Sequence, residues 1–285
     1  MDQHDLFLDV MSTRVGDEVL VTFTDYTPLK MAKRQLEKYV EELKRSNNNL
    51  QDFAYAASHD LKEPIRKIKI FSERLKIDLL SQLTPVQKNY FERMEGAAMR
   101  MNALIEDLLF YNEVSVHQKE QQEIDFNHLV DQVLHDLDLE IEEKLATISV
   151  APLFTFRGHS RHLQQVFQNL IGNALKYSHP GKKPEISITY DEVKGARLDL
   201  PLTPEELQNT YYVIEVRDNG IGFDPADAGR IFNLFQRLHN NSSYLGTGLG
   251  LSIVRKVIEN HGGYIVADGM PGEGAVFKVV LPALS

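Results

Sequence analysis

From Leu6 to Asp25 apolar and polar residues alternate, LFLDVMSTRVGDEVLVTFTD, around a central Gly16-Asp17. A period of two sets alternate side chains on one face of a strand, and a Gly-Asp pair suits a tight turn, so the segment predicts a β-hairpin. At Lys30 the period changes. Leu36, Leu43, Leu50 and Ala57 recur every seven residues, with Val40, Phe53 and Ala54 between them. That spacing predicts a long amphipathic helix, coiled-coil-like in its first half and weakened at Asn47-Asn48-Asn49. Thr84-Pro85-Val86-Gln87 supplies an N-cap, a proline at the first helical position and a capping-box glutamine. The second helix it opens carries Tyr90, Met94, Ala97, Met101, Leu104, Leu108 and Tyr111 on one stripe.

Two long helices with a short connection predict an antiparallel hairpin. Each has a wide apolar face that one hairpin cannot cover, so a four-helix bundle built from two copies of the chain is expected. The polar stretch VHQKEQQEID after Val114 reads as a linker. Beyond it the pattern is mixed. Helices are expected at Asn127 to Glu143, His159 to Tyr177 and Leu249 to Asn260. Strands are expected after Ala146 and at Glu185 to Tyr190, Tyr211 to Arg217, Tyr264 to Ala267 and Ala275 to Leu281. The stretch DEVKGARLDLPLTPEELQNT is too long for a tight turn and reads as a surface excursion. The expected organisation is multidomain. It has a hairpin at 1–29, a coiled-coil helix at 30–50, an all-α hairpin at 51–114, a linker at 115–123 and an α+β two-layer sandwich at 124–285.

Charge narrows the partners. The formal net charge of −10, from 41 acidic and 31 basic residues, argues against nucleic acid or an anionic membrane surface. A nucleotide is not excluded, because backbone amides and a bound cation supply positive charge locally. With no cysteine there is no disulfide and no thiolate metal site. No apolar run approaches the ~20 residues of a membrane span, and MDQHDLFLDV lacks the features of a signal peptide. The expectation is a cytoplasmic chain without direct membrane insertion, either alone or as the cytosolic part of a longer membrane-bound protein.

Three segments carry candidate nucleotide chemistry, although the GxxxxGK[ST] phosphate loop is missing. In QNLIGNALKY, Asn169 and Asn173 are four apart and share a helix face, where neutral amide oxygens can hold a magnesium ion. Lys176 follows within a turn and can reach phosphate. Alone, the segment is equally well read as a core helix with amide caps. In DNGIGFD, Asp218 can accept a hydrogen bond from an adenine amino group, while Gly220 and Gly222 let backbone approach the ring. Alone, DNG is a common hairpin turn. In GTGLGLS, Gly246 to Gly250 open a helix, where glycine amides form an anion site. The weight lies in all three occurring in this order ahead of the same closing strands.

Gln168 to Tyr177 resembles the asparagine box of sensor histidine kinases, and DNGIGFD and GTGLGLSI resemble their two glycine boxes. IFNLFQRL, residues 231–238, resembles the phenylalanine box of the ATP lid, and the resemblance implies that Phe232 helps bind the nucleotide. The resemblance implies a Bergerat ATP-binding fold with ATP and Mg2+ as ligands. It assigns Asn169 and Asn173 to magnesium, and Lys176 with the backbone of Gly246, Thr247, Gly248, Leu249 and Gly250 to phosphate. Tyr177 would pack beside the base, and Arg237 would contact the γ-phosphate. SHDLKEPIR, residues 58–66, is similar to the family's phosphoacceptor motif, with His59 as acceptor and Asp60 as its acidic neighbour. A helical histidine by itself is more often structural or solvated. Asp25-Tyr26-Thr27 before Pro28-Leu29-Lys30 resembles the end of PAS sensor domains, although a hairpin ornament accounts for these two strands nearly as well.

The expected chemistry follows. A neutral imidazole nitrogen of His59 attacks the γ-phosphorus in line with ADP, while Asp60 at the other ring nitrogen fixes the tautomer and offsets the growing positive charge. The family then implies transfer to an aspartate of a response-regulator receiver domain, a homodimer, and an upstream sensor domain. One departure is Glu63, where the family often has threonine or asparagine. A carboxylate there would repel an aspartyl phosphate, so weak phosphatase activity is expected; an equal alternative is that Glu63 only pairs with Lys67 one turn on. Two other functions stay open: a non-kinase ATPase of the same superfamily, which would turn over ATP without a phosphoenzyme, and a nucleotide-gated dimeric scaffold, which would bind ATP without transferring phosphate. His159 and His162 share a helix face without matching ligands and read as an exposed pair.

Overall fold

The structure, a computed structural model, describes residues 6–79, 83–116, 121–238 and 246–283, and within these not the side chains of 47, 48, 50–55, 57, 59, 115 and 116. The chain divides into two compact units, one up to Ala57 and one from Ser58 onward.

In the first unit the alternating segment forms β1 (Leu8–Val15) and β2 (Glu18–Asp25), antiparallel with Val15 opposite Glu18. Gly16 adopts φ 68°, the left-handed conformation that the two-residue turn requires. Leu8, Val10, Val19, Val21 and Phe23 share one face with Ser12, Arg14 and Asp25, and this face is exposed. Asp25 then accepts the amide of Thr27 through Oδ1 at 2.8 Å, and α1 (Thr27–Leu79) begins three residues before Lys30. Leu36 and Leu43 are exposed on this helix. Leu50, Phe53, Ala54 and Ala57 fall outside the described side chains.

In the second unit α1 runs on through Pro64 and pairs with α2 (Pro85–Val116). The capping box forms: Thr84 N donates to Gln87 Oε1 at 2.8 Å, and Gln87 N to Thr84 Oγ1 at 3.3 Å. Ser58, Ile65 and Ser72, seven apart, are buried on α1. Ile65 packs against Ala98, Ile105 and Leu109 of α2. Lys76–Glu95 at 2.7 Å and Lys62–Glu106 at 3.9 Å set the antiparallel register. This corrects the expected stripe on α2. Tyr90, Met94 and Met101 are exposed, and the seam uses residues to one side of them. Leu104, Leu108 and Tyr111 instead pack on the C-terminal core, where Phe110 and Val114 are themselves buried.

The polar stretch expected as a linker contains β3 (Gln122–Asp125), paired antiparallel with β5 (Thr155–Gly158), a strand the sequence pattern did not show. Asp125 caps the next helix by accepting Asn127 N at 2.9 Å. The single helix expected to Glu143 is two, α3 (Phe126–Asp136) and α4 (Asp138–Glu143), broken at Leu137. Then come β4 (Thr147–Val150), α5 (Ser160–Lys176), β6 (Glu185–Lys194), β7 (Thr210–Asp218), α6 (Gly250–Asn260), β8 (Tyr264–Met270) and β9 (Gly274–Pro282). The sheet order is β4-β6-β7-β9-β8, with β4 parallel to β6 and the other pairs antiparallel. Ile186, Ile188, Ile214, Val216, Phe277 and Val279 form one core with the apolar faces of α3, α5 and α6, giving the expected two-layer sandwich. The excursion at 191–210 does more than run over the surface. It extends β6 and then lays Leu198, Leu200 and Leu202 over Tyr211, Val213 and Val280 on the sheet's other face.

Candidate active site

Apolar residues three and four apart bury one side of α5, among them Leu163, Val166, Phe167, Leu170, Ile171 and Leu175, and this fixes its rotation. Asn173, near the C-terminal end, and the capping residue Tyr177 then line a cleft with about 650 Å³ of empty space, part of it open solvent. Asp218, from the end of β7, and Ala275 and Phe277, from β9, form its floor. Gln236, Arg237 and Leu238 form the opposite wall, with Leu251 from the first turn of α6.

Asp218 is half-buried in this floor, and its partial burial pushes its carboxyl above the usual carboxylate range. Its Oδ1 accepts the amides of Gly220 at 2.8 Å and Ala275 at 3.3 Å, which oppose that rise by favouring the ionised form. Both bonds fall on one oxygen, and the second can accept from a ligand.

The glycines have a local cause different from the expected one. A Cβ on Gly220 would lie 2.5 Å from the carbonyl oxygen of Tyr177, and Ile221 N donates to that same oxygen at 2.9 Å. Gly222, at φ 62°, would meet Met270 O at 2.0 Å. These glycines admit neighbouring protein backbone, so that the cleft floor closes behind Asp218. Gly248, at φ 76°, lies against the backbone of Phe235 and Gln236.

Lys176 swings over the Tyr177 ring, 4.6 Å from its centroid, and its ammonium lies where a Cβ on Gly246 would be. The first and third segments therefore meet at a cationic point beside the N-terminus of α6. Asn169 is set apart from the cleft lining: its Nδ2 donates to Gly250 O at 3.2 Å, joining α5 to the start of α6. Leu249 is fully buried, and its amide donates to Thr247 Oγ1 at 3.2 Å. Phe232, expected at the nucleotide, is instead buried outside the cleft lining, edge-on to Phe277 and 4.7 Å from the Arg255 guanidinium.

Residues 158–285 match the family profile described as histidine kinase-, DNA gyrase B- and HSP90-like ATPase, and residues 49–114 match that of the His Kinase A phospho-acceptor domain. The chain belongs to the sensor histidine kinases. Among curated relatives of this histidine kinase chain, the phytochrome-like protein Cph1 of Synechocystis sp. is 36% identical over 248 residues, spanning 87% of this chain and 31% of that protein. Cyanobacterial phytochrome A of Nostoc sp. is 37% identical over 249 residues, 87% of this chain and 30% of that protein. The chain thus spans about a third of their length. The solved structure of full-length ShkA in complex with AMPPNP shares the fold, with a TM-score of 0.60 at 23% identity, over 82% of this chain and 46% of that one.

Within the histidine kinase framework, position 59 follows the buried Ser58 on α1, and Asp60 is exposed. The His59 side chain lies outside the described residues. Glu63 forms the expected pair with Lys67 at 2.8 Å, on the exposed side of the helix. The expectation of an exposed histidine pair is half corrected: His162 is buried, edge-on to Phe110 at 5.6 Å. Ile221, Phe223, Ile231, Gln236, Leu238, Leu251, Ala275 and Phe277 line the cleft without having been foreseen. Most lie inside the quoted boxes, where, Gln236 apart, their apolar character was the available signal. For Ala275 and Phe277 it was the alternation of the last strand.

Among the described residues, no helix is long and apolar enough to cross a membrane.

Proposed function

We propose that this chain binds ATP with magnesium in the C-terminal cleft, transfers the γ-phosphoryl group to His59, and passes it on to an aspartate of a response-regulator receiver domain. The observation that carries the reading is the convergence of Asn173, Tyr177, Asp218 and Arg237 on one cleft, with Lys176 held against Gly246 at its side.

Asp218 would accept from the adenine amino group and Tyr177 would flank the base. Lys176, Arg237 and the amides of Gly246 to Gly250 would face the phosphates. Two neutral amide oxygens with phosphate oxygens make a donor set suited to Mg2+, and the Nδ2 bond of Asn169 to Gly250 leaves its Oδ1 for that purpose. When bound, the ion would neutralise charge on the phosphates. A new P–N bond to His59 forms as the P–O bond to ADP breaks, and Asp60 orients the imidazole.

The division at 1–29, 30–50, 51–114, 115–123 and 124–285 is part of the proposal, with Phe110 and Val114 also serving the catalytic core. Homodimerisation is supported by Leu61, Ile68, Phe71 and Leu75, an exposed apolar row at helical spacing on α1. A cytoplasmic location and an upstream sensor acting through α1 complete it.

The test is incubation with magnesium-ATP followed by mapping of acid-labile phosphate. Label is expected on His59, none in His59→Gln, and none in Asn173→Ala because nucleotide binding is lost. Labelling that persists in His59→Gln would overturn the assignment.

A further inference from the structure

Thr247, in the second glycine box, does not face the cleft alone. Its hydroxyl donates to Asp107 Oδ2 of α2 at 2.6 Å, across 140 residues of sequence, and accepts from Leu249 N at 3.2 Å. Asp107 lies one helical turn before Phe110 and two before Val114, both buried in the C-terminal core. The same helix edge is fastened at two more points. Asn260 Nδ2 donates to Val114 O at 2.6 Å, and Arg161 meets Glu113 at 3.3 Å while lying over the Phe110 ring. Asp107 is largely shielded from solvent, which raises its carboxyl pKa, while the Thr247 bond holds it down.

A carboxylate here is out of place if the only task is to hold phosphate. Gly246 to Gly250 lead into the N-terminus of α6 with the Lys176 ammonium against Gly246, an arrangement suited to an anion. Asp107 brings a negative charge against the second residue of that segment, where it occupies a hydroxyl and opposes any further anion.

Resting on the ATP site proposed above, we infer that Asp107 is a latch: it competes with the triphosphate for Thr247, so that nucleotide binding loosens α2 from the glycine box. The helix that continues the phosphoacceptor hairpin then reads the state of the nucleotide site through one hydrogen bond. Nucleotide binding and release of the helix become a single equilibrium, so each must favour the other.

The test uses the whole chain. AMPPNP with magnesium is titrated calorimetrically into the wild type, Asp107→Asn and Asp107→Ala. Asn keeps the shape and an acceptor while removing the charge; Ala removes both. Both variants should bind about tenfold more tightly, as expected when one like charge leaves the edge of an anion site. The chain has no cysteine, so Met99→Cys with Glu192→Cys provides an exposed pair for spin labels. Without nucleotide, Asp107→Ala should show the distance distribution that the wild type shows only with AMPPNP.

Affinities within twofold of wild type, weaker binding, or an unmoved distance distribution would overturn the latch alone, provided the wild type binds. A wild type that binds no AMPPNP would overturn the ATP-site reading and the latch with it.

Discussion

His162 illustrates how one side chain links pH to stability. It is buried on α5 against Phe110 of α2, and burial, helped by the neighbouring His159, pushes its pKa down to about 4. Between that value and the ordinary 6.5 the unfolded chain binds a proton that the folded chain refuses, so stability rises with pH across this window. The contribution is complete above about pH 6.5 and is lost as pH falls toward 4, roughly 1–2 kcal/mol once partial solvent contact is allowed for. Denaturant unfolding at pH 5 and pH 7 should show this difference shrinking in His162→Phe; an equal pH difference in both proteins would refute it. Nothing in the sequence around His162 separates it from an exposed histidine, because its burial comes from α2, far away in the chain. The glycines teach a related lesson. Gly222 lines the cleft, but the reason for it and for Gly220 was not legible, since Met270 O and Tyr177 O approach them only in the folded sheet.

At the scale of elements, α2 serves two cores. One edge meets Ile65 through Ala98, Ile105 and Leu109; another enters the C-terminal core through Phe110 and Val114. Phe110→Ala should therefore destabilise the catalytic domain by about 3–5 kcal/mol, the usual cost of emptying a buried aromatic position. Thermal unfolding monitored with and without nucleotide would show it as a lowered midpoint, whereas Glu92→Ala, exposed on the same helix, should leave the midpoint in place. The double duty also explains why the stripe was misread. With apolar residues on two adjoining edges, periodicity gives their average and neither true face. Local signals fared better. The Gly16-Asp17 turn and the Thr84–Gln87 capping box depend on neighbours in sequence and formed as expected. The break at Leu137 escaped because apolar spacing runs straight through it into Ile141, and β5 escaped because four residues are too few to establish an alternation.

Across the molecule, the exposed apolar row of Leu61, Ile68, Phe71 and Leu75 is large for a surface meant to face water. In a homodimer these positions become core, and a buried charge there would be costly. If the proposed homodimer forms through this face, Phe71→Glu combined with Leu75→Glu should sediment as a monomer where the wild type sediments as a dimer, with AMPPNP binding unchanged. A variant that sediments as wild type would show that this face is not the subunit interface. The arrangement of α2 also governs how such proteins can be recombined. The polar stretch after Val114 looks like a natural seam, yet a crossover there would hand the incoming catalytic half a foreign Phe110 and Val114. A workable chimera has to be spliced upstream of Leu104, so that about three turns of helix travel with the half they complete.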